Sequence, residues 1–252
     1  MFIMLDDSLQ GYRVLDLSQY LPGPYATRLL ADLGADVVKI EPMEGDPMRT
    51  FPFLDSDGLS PVYKQINAGK TVMRLDLKGE YGRTCFSDLV AVADVLLESY
   101  RPGVLARLGF SHSSLRVLNP RLVHCALSGF GQDGPASQRA GHDLTYLALS
   151  GMLHHTGTTA TPVIPFPPIA DYAGGQQAAS LVLAALLRRE KHDEGCYIDT
   201  SLFETVLSWQ SIGQAGIGRT GQSLAPGHGA LNGGKACYQI YQTADEKFVV
   251  LG

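Results

Sequence analysis

Closely spaced cysteines are missing from this 252-residue sequence: Cys85, Cys125, Cys196 and Cys237 stand far apart, with no C-x-x-C pair. That pattern excludes a zinc knuckle and suggests no disulfide framework, so reduced thiols and a cytoplasmic location are expected. A basic excess is also missing. With 20 Lys and Arg against 25 Asp and Glu, mixed along the chain to a net charge of −5, there is no stripe to follow a phosphate backbone, and nucleic acid is not an expected partner. Long apolar runs are absent as well. Ala178–Leu187 is broken by Ser180 and closed by Arg188 and Arg189, well short of the roughly 20 residues that span a bilayer. Met1–Gln10 carries Asp6 and Asp7 and no basic start ahead of an apolar core, so it does not read as a signal peptide. His154 and His155 have no acidic or cysteine neighbours at ligand spacing, and no metal is expected.

What is present is apolar bulk, 45% of residues, in an alternating pattern. Strand-like Tyr12–Leu17, Asp36–Ile40, Thr71–Leu77, Asp94–Leu97 and Arg121–Leu127 alternate with helix-like Pro24–Leu33 and Glu80–Val92. Val- and Leu-rich strands separated by helices predict an α/β fold, a Rossmann-like, doubly wound parallel sheet with helices on both faces. The turn after the first strand, Ser18–Pro24, has neither G-x-G-x-x-G nor Gly-Lys-Ser/Thr, so nicotinamide is not implied. A long helix is predicted over Tyr172–Arg189, a strand over Cys196–Asp199 and a helix over Ser201–Ser211. Residues 1–212 are read as the large domain, the Gly-, Ser- and Gln-rich 213–234 as a linker, and 235–252 as the start of a smaller domain, with Ala236–Gln242 and Lys247–Leu251 as a hairpin. The apolar end at Phe248–Gly252 predicts a piece of a longer chain.

Two segments carry the chemistry. Gly141-His142-Asp143 and Ala170-Asp171-Tyr172 each open a helix-like run. A helix start offers unpaired N–H groups and a positive dipole end, which favour carboxylate over acid and imidazole over imidazolium. Two such bases flanking a carbon acid can remove a proton from one face and return it to the other. Asp at a helix start also serves simply as a cap.

These segments, with Leu17–Pro24, Asp36–Pro42, Asn67–Lys70, Leu75–Lys78, Arg101–Gly103 and Arg107–Phe110, resemble family III CoA-transferases over Gly11–Gly252. Gly-His-Asp and Tyr146–Gly151 are most similar to the family's α-methylacyl-CoA racemase branch. The resemblance implies an acyl-CoA substrate, no cofactor beyond the coenzyme A of that substrate, and an interlocked homodimer. It implies racemisation at Cα by His142 and Asp171. One alternative is CoA transfer through an Asp171 acyl anhydride, and another is an inactive CoA-binding fragment. It places CoA contacts at Leu75, Lys78, Ser99, Tyr100, Arg101 and Arg107, with Ser99 where the family usually has Asn, and the pantetheine channel at Gly129–Gly134, Gly129 and Gly131 included. Arg and Lys suit the phosphates and Tyr100 offers a ring face to adenine. An enolate would need donors at its oxygen, and the N–H groups beside Gly174 and Gly175 are the candidates.

Overall fold

Val14-Leu15, Val37-Val38, Val95–Leu97 and Val123–Leu127 are apolar at successive positions, so both faces of the sheet they form must be covered. The computed structural model describes residues 5–158 and 161–252. Met1–Met4, in the stretch read for a leader pattern, and Thr159 and Ala160, in the proline-rich loop, lie outside the described residues.

In chain order the elements are β1 (Arg13–Asp16), α1 (Pro22–Asp32), β2 (Asp36–Glu41), α2 (Pro61–Ile66), β3 (Thr71–Arg74), α3 (Glu80–Val92), β4 (Val95–Glu98), α4 (Val104–Arg107), α5 (His112–Leu118), β5 (Val123–Ser128), α6 (Asp143–Leu149), α7 (Ile169–His192), β6 (Cys196–Ser201), α8 (Leu202–Ser208), α9 (Ser211–Thr220), β7 (Gln239–Gln242) and β8 (Phe248–Leu251). They form two compact units, Met1–Ala140 with Asp171–Leu202, and Gly141–Ala170 with Phe203–Gly252.

The first unit is the α/β fold read from the sequence. Its six-stranded sheet has the order β3-β2-β1-β4-β5-β6, with every neighbouring pair parallel. Leu15, Leu17, Ile40 and Leu96 point to one face and pack with Phe86 and Val90 of α3 and Leu115 of α5. On the other face α1 comes so close that a Cβ on Gly23 would lie 3.2 Å from Leu97 Cδ2. Helix α7 packs against α1 through Gly175, where a Cβ would lie 2.5 Å from the Pro22 carbonyl oxygen. Because backbone cannot yield as a side chain does, Gly175→Ala is expected to cost about 1–3 kcal/mol in urea unfolding. An unchanged midpoint would show that α1 and α7 can separate freely.

β3 stops at Arg74, short of the predicted Leu77. Asp76 Oδ1 accepts the Lys78 N–H at 3.0 Å, a side-chain turn that leads the chain off the sheet.

In the second unit β7 and β8 pair antiparallel, as the hairpin reading predicts. Residues 211–220, which overlap the stretch read as a linker, are helical instead. Three glycines make this helix unattractive by propensity, at about 1 kcal/mol each against Ala. Packing accounts for one of them: a Cβ on Gly213 would sit 3.3 Å from His155 Nε2. Gly221, at φ 70°, ends the helix by donating its N–H to Ile217 O at 2.7 Å. Among the described residues no helix is long and apolar enough to cross a membrane.

Candidate active site

The strand order reverses between β1 and β4, and in open α/β sheets the crevice at such a point, at the carboxyl ends of the strands, is where ligands bind. In dinucleotide-binding folds a helix start supplies N–H groups to phosphate there. Here α1 begins Pro22-Gly23-Pro24, so two of its first three residues have no N–H to give. A buried carboxylate, Asp16, stands at the end of β1 below it. An anion is therefore not expected on α1.

The sequence motifs that precede and follow this turn meet underneath it. Asp16 accepts from Ser18 N–H at 2.9 Å, Thr27 Oγ1 at 2.6 Å and Lys70 Nζ at 3.0 Å. Lys39 Nζ reaches Ser18 O at 2.8 Å and Asp46 at 2.9 Å. Glu41 accepts from Arg49 Nε at 2.7 Å and Tyr63 Oη at 2.6 Å. Lys70 and Lys39 hold the Asp16 carboxyl far below its ordinary value against the opposing pull of burial. Sequence reading quoted these motifs but found no role for Asp16, Lys39 or Lys70; long-range ion pairs leave no local periodicity.

A cleft of about 390 Å³ opens beside this network, within the first unit. It brings together three of the predicted CoA contacts, Leu75, Lys78 and Tyr100, with Gln19 from the turn and Val104 and Leu108 from the α4 region. Aliphatic side chains share its walls with polar ones: the exposed Lys78 is the cation on its lining, and Glu41, Glu44 and Asp76 add carboxyl groups. Burial, with Glu98 beside it, pushes the Tyr100 phenol up to about 12, so it presents a neutral ring. Ser99, Arg101, Arg107, Gly129 and Gly131 are not part of this wall. Ser99 Oγ accepts the Gln19 N–H at 3.1 Å. Arg101 and Arg107 are exposed, and the Arg107 guanidinium folds back within 3.2 Å of where a Gly103 Cβ would stand. Gly131, at φ 85°, donates to Ser128 Oγ at 3.0 Å, and Gln132 N–H is held by both Asp199 oxygens at 3.1 and 3.0 Å, so the Gly129–Gly134 turn is tied to the ends of β5 and β6.

Glu98, at the end of β4, is buried and accepts the Tyr100 N–H at 2.6 Å. Burial raises its carboxyl from 4.5 to about 7, opposed by that hydrogen bond and reinforced by Asp199. The native state then holds this proton more tightly than the unfolded chain, so stability falls as pH climbs from 4.5 through 7 and levels off above. Glu98→Gln keeps an acceptor for Tyr100 and is expected to be more stable than the parent by about 2–3 kcal/mol at pH 8, and no more stable at pH 4.5. Urea unfolding at both pH values checks this; equal gains at both would refute the titration.

His142 is the exposed cap residue of α6 in the second unit; its N–H meets Thr145 Oγ1 at 3.4 Å. The neighbouring Asp143 accepts the Ala170 N–H at 2.6 Å, a role the sequence did not suggest. Asp171, half-buried, is the third residue of α7 in the first unit. Gly174 and Gly175 are buried, with the space at their α-carbons taken by Leu202 and Pro22. Close packing is thus one role of these glycines. His112 and His124 pack against the Tyr197 ring near the amino ends of β5 and β6. Cys125 is fully buried, and burial raises its thiol, which keeps it unreactive.

The family model for CoA-transferase family III matches residues 9–252. The chain is 36% identical over 246 residues to human succinyl-CoA:glutarate CoA-transferase, covering 96% of this chain and 56% of that protein. It is also 36% identical over 252 residues to human alpha-methylacyl-CoA racemase, covering 97% and 61%. The crystal structure of a CAIB/BAIF family protein from Brucella suis superimposes with a TM-score of 0.88 at 32% identity, over 96% of this chain and 65% of that one. The chain thus spans little more than half the length of these curated relatives, and identity alone does not separate a transferase from a racemase. The match over nearly every residue, together with the shared fold, shows that the chain belongs to CoA-transferase family III.

Proposed function

We propose that this enzyme racemises or epimerises the α-carbon of a 2-methylacyl-CoA thioester, with His142 and Asp171 as the two bases. The observation that carries the reading is His142, an exposed imidazole at the cap of α6, because histidine is the residue type that most often serves as a general base. Within the second unit, the hydrogen bond from Ala170 N–H to Asp143 holds the residue that follows His142. The cleft with Leu75, Lys78 and Tyr100 on its lining supports CoA as the handle. One base takes the α-proton as the thioester becomes an enolate, and the conjugate acid of the other returns a proton to the opposite face.

The second reading is CoA transfer: Asp171 attacks the thioester carbonyl and CoA leaves as thiolate; a second carboxylate then displaces the first at the aspartyl carbonyl of the mixed anhydride, and the thiolate attacks the new acyl carbonyl, forming the new thioester and freeing Asp171. The similarity to a succinyl-CoA:glutarate CoA-transferase favours it. Incubation of a single-enantiomer 2-methylacyl-CoA in D2O with an added carboxylic acid separates the two. Deuterium at Cα with loss of chirality supports the racemase; unlabelled substrate with CoA moved to the added acid supports transfer. CoA binding with neither reaction supports a chain that only binds.

A further inference from the structure

Tyr20 sits with φ at 63°, in the left-handed region that a bulky side chain adopts only when its surroundings impose it, and it is 51% exposed. Strain of this kind persists where the neighbouring structure over-determines it, and that structure is visible on both sides of the residue. Before it, Ser18 is held three times: its N–H and hydroxyl by Asp16, its carbonyl by Lys39. After it, the Pro24 carbonyl accepts from Lys70 at 2.7 Å. Gln19, between these anchors, donates its N–H to Ser99 and forms part of the cleft wall.

Lys70 is the knot. An ammonium has three N–H donors, and Lys70 places one on Asp16 at 3.0 Å, one on Pro24 O at 2.7 Å and one on Asn67 Oδ1 at 2.9 Å, with both the lysine and the aspartate side chain fully buried. It thereby joins the end of β1, the first turn of α1 and the segment ahead of β3. A buried pair costs more in desolvation than an apolar pair of the same shape, so fold stability alone gives no reason to keep it. A specified loop conformation does.

We propose that Lys70 is a positioning residue: through Asp16 and Pro24 it holds Ser18–Leu21, with Tyr20 strained, against the cleft, and so sets the affinity for the CoA thioester. This rests on the cleft being the CoA site. Its energetic logic is preorganisation, since a loop already in its bound shape loses no further freedom when the ligand arrives.

Two variants test it, with S-methyl-CoA titrated by calorimetry and hydrogen exchange followed in peptides covering residues 17–21 and 36–41. Asp16→Asn with Lys70→Gln removes both charges together and leaves no lone buried ion. Tyr20→Gly allows the loop to relax without loss of the buried network. Each is expected to melt within a few degrees of the parent, to exchange faster at 17–21 but not at 36–41, and to bind about tenfold more weakly, the loss of about 1.4 kcal/mol of preorganisation. Parent-like affinity in a folded variant overturns the proposal, as does faster exchange spread equally over both peptides. If the double variant does not fold, Tyr20→Gly decides by the same readings. Failure of the parent itself to bind S-methyl-CoA overturns the cleft assignment, a result separable from parent-like binding in the variants.

Discussion

Asp171→Asn is expected to abolish deuterium incorporation and CoA transfer alike, each falling by about three orders of magnitude or more. Both reactions need a carboxylate at this position, one to accept a proton and the other to form the anhydride, and a neutral amide does neither. The substitution is nearly isosteric, and Asn is tolerated at helix starts about as well as Asp. The start of α7 has other anchors besides, in the Ala170 N–H bond to Asp143 and the packing of Gly175 on α1. The variant should therefore melt within about 1 kcal/mol of the parent and bind S-methyl-CoA as tightly, since the cleft walls lie elsewhere. Either activity retained to within about tenfold would remove Asp171 from the chemistry.

His142→Gln should separate the two readings where Asp171→Asn cannot. Loss of a general base costs about 10²–10⁴ in rate, so deuterium incorporation at Cα is expected to fall by that factor if His142 is the second base. Transfer through an Asp171 anhydride needs no imidazole and should stay within a few-fold. The fold should tolerate the change: the ring is exposed, and the cap is made by backbone and Thr145, with Thr145 N–H on the His142 carbonyl at 2.8 Å. A variant that still washes in deuterium at the parental rate would leave the racemase reading without its second base.

Much of the fold was legible because its signals are local. Runs such as Val95–Leu97, short, Val/Leu-rich and apolar on both faces, read as strands buried from two sides, and the amphipathic spacing of α3 needs no tertiary knowledge to recognise. The helix at 211–220 was not legible, because its glycines oppose it locally and the contact of Gly213 with His155 joins residues far apart in the chain. The site divided in the same way. Leu75, Lys78 and Tyr100, named from the family resemblance, line one cleft; the hydrogen bond of Ser99 with Gln19 and the packing at Gly174 and Gly175 join distant segments and were not legible.

His142 and Asp171, on which the proposed chemistry turns, were singled out by the resemblance to the family; by itself the sequence determined the parallel α/β sheet and the absence of a dinucleotide turn. Those follow from periodicity and residue type, which act over a few neighbours. Only the tertiary structure decided that Asp16, Lys39 and Lys70 converge under the Ser18–Leu21 turn, and that Glu98 lies buried enough to hold its proton near neutrality. Burial and charge pairing are properties of surroundings assembled from distant segments, and the energies that shift a carboxyl or strain a tyrosine exist only once those segments have met.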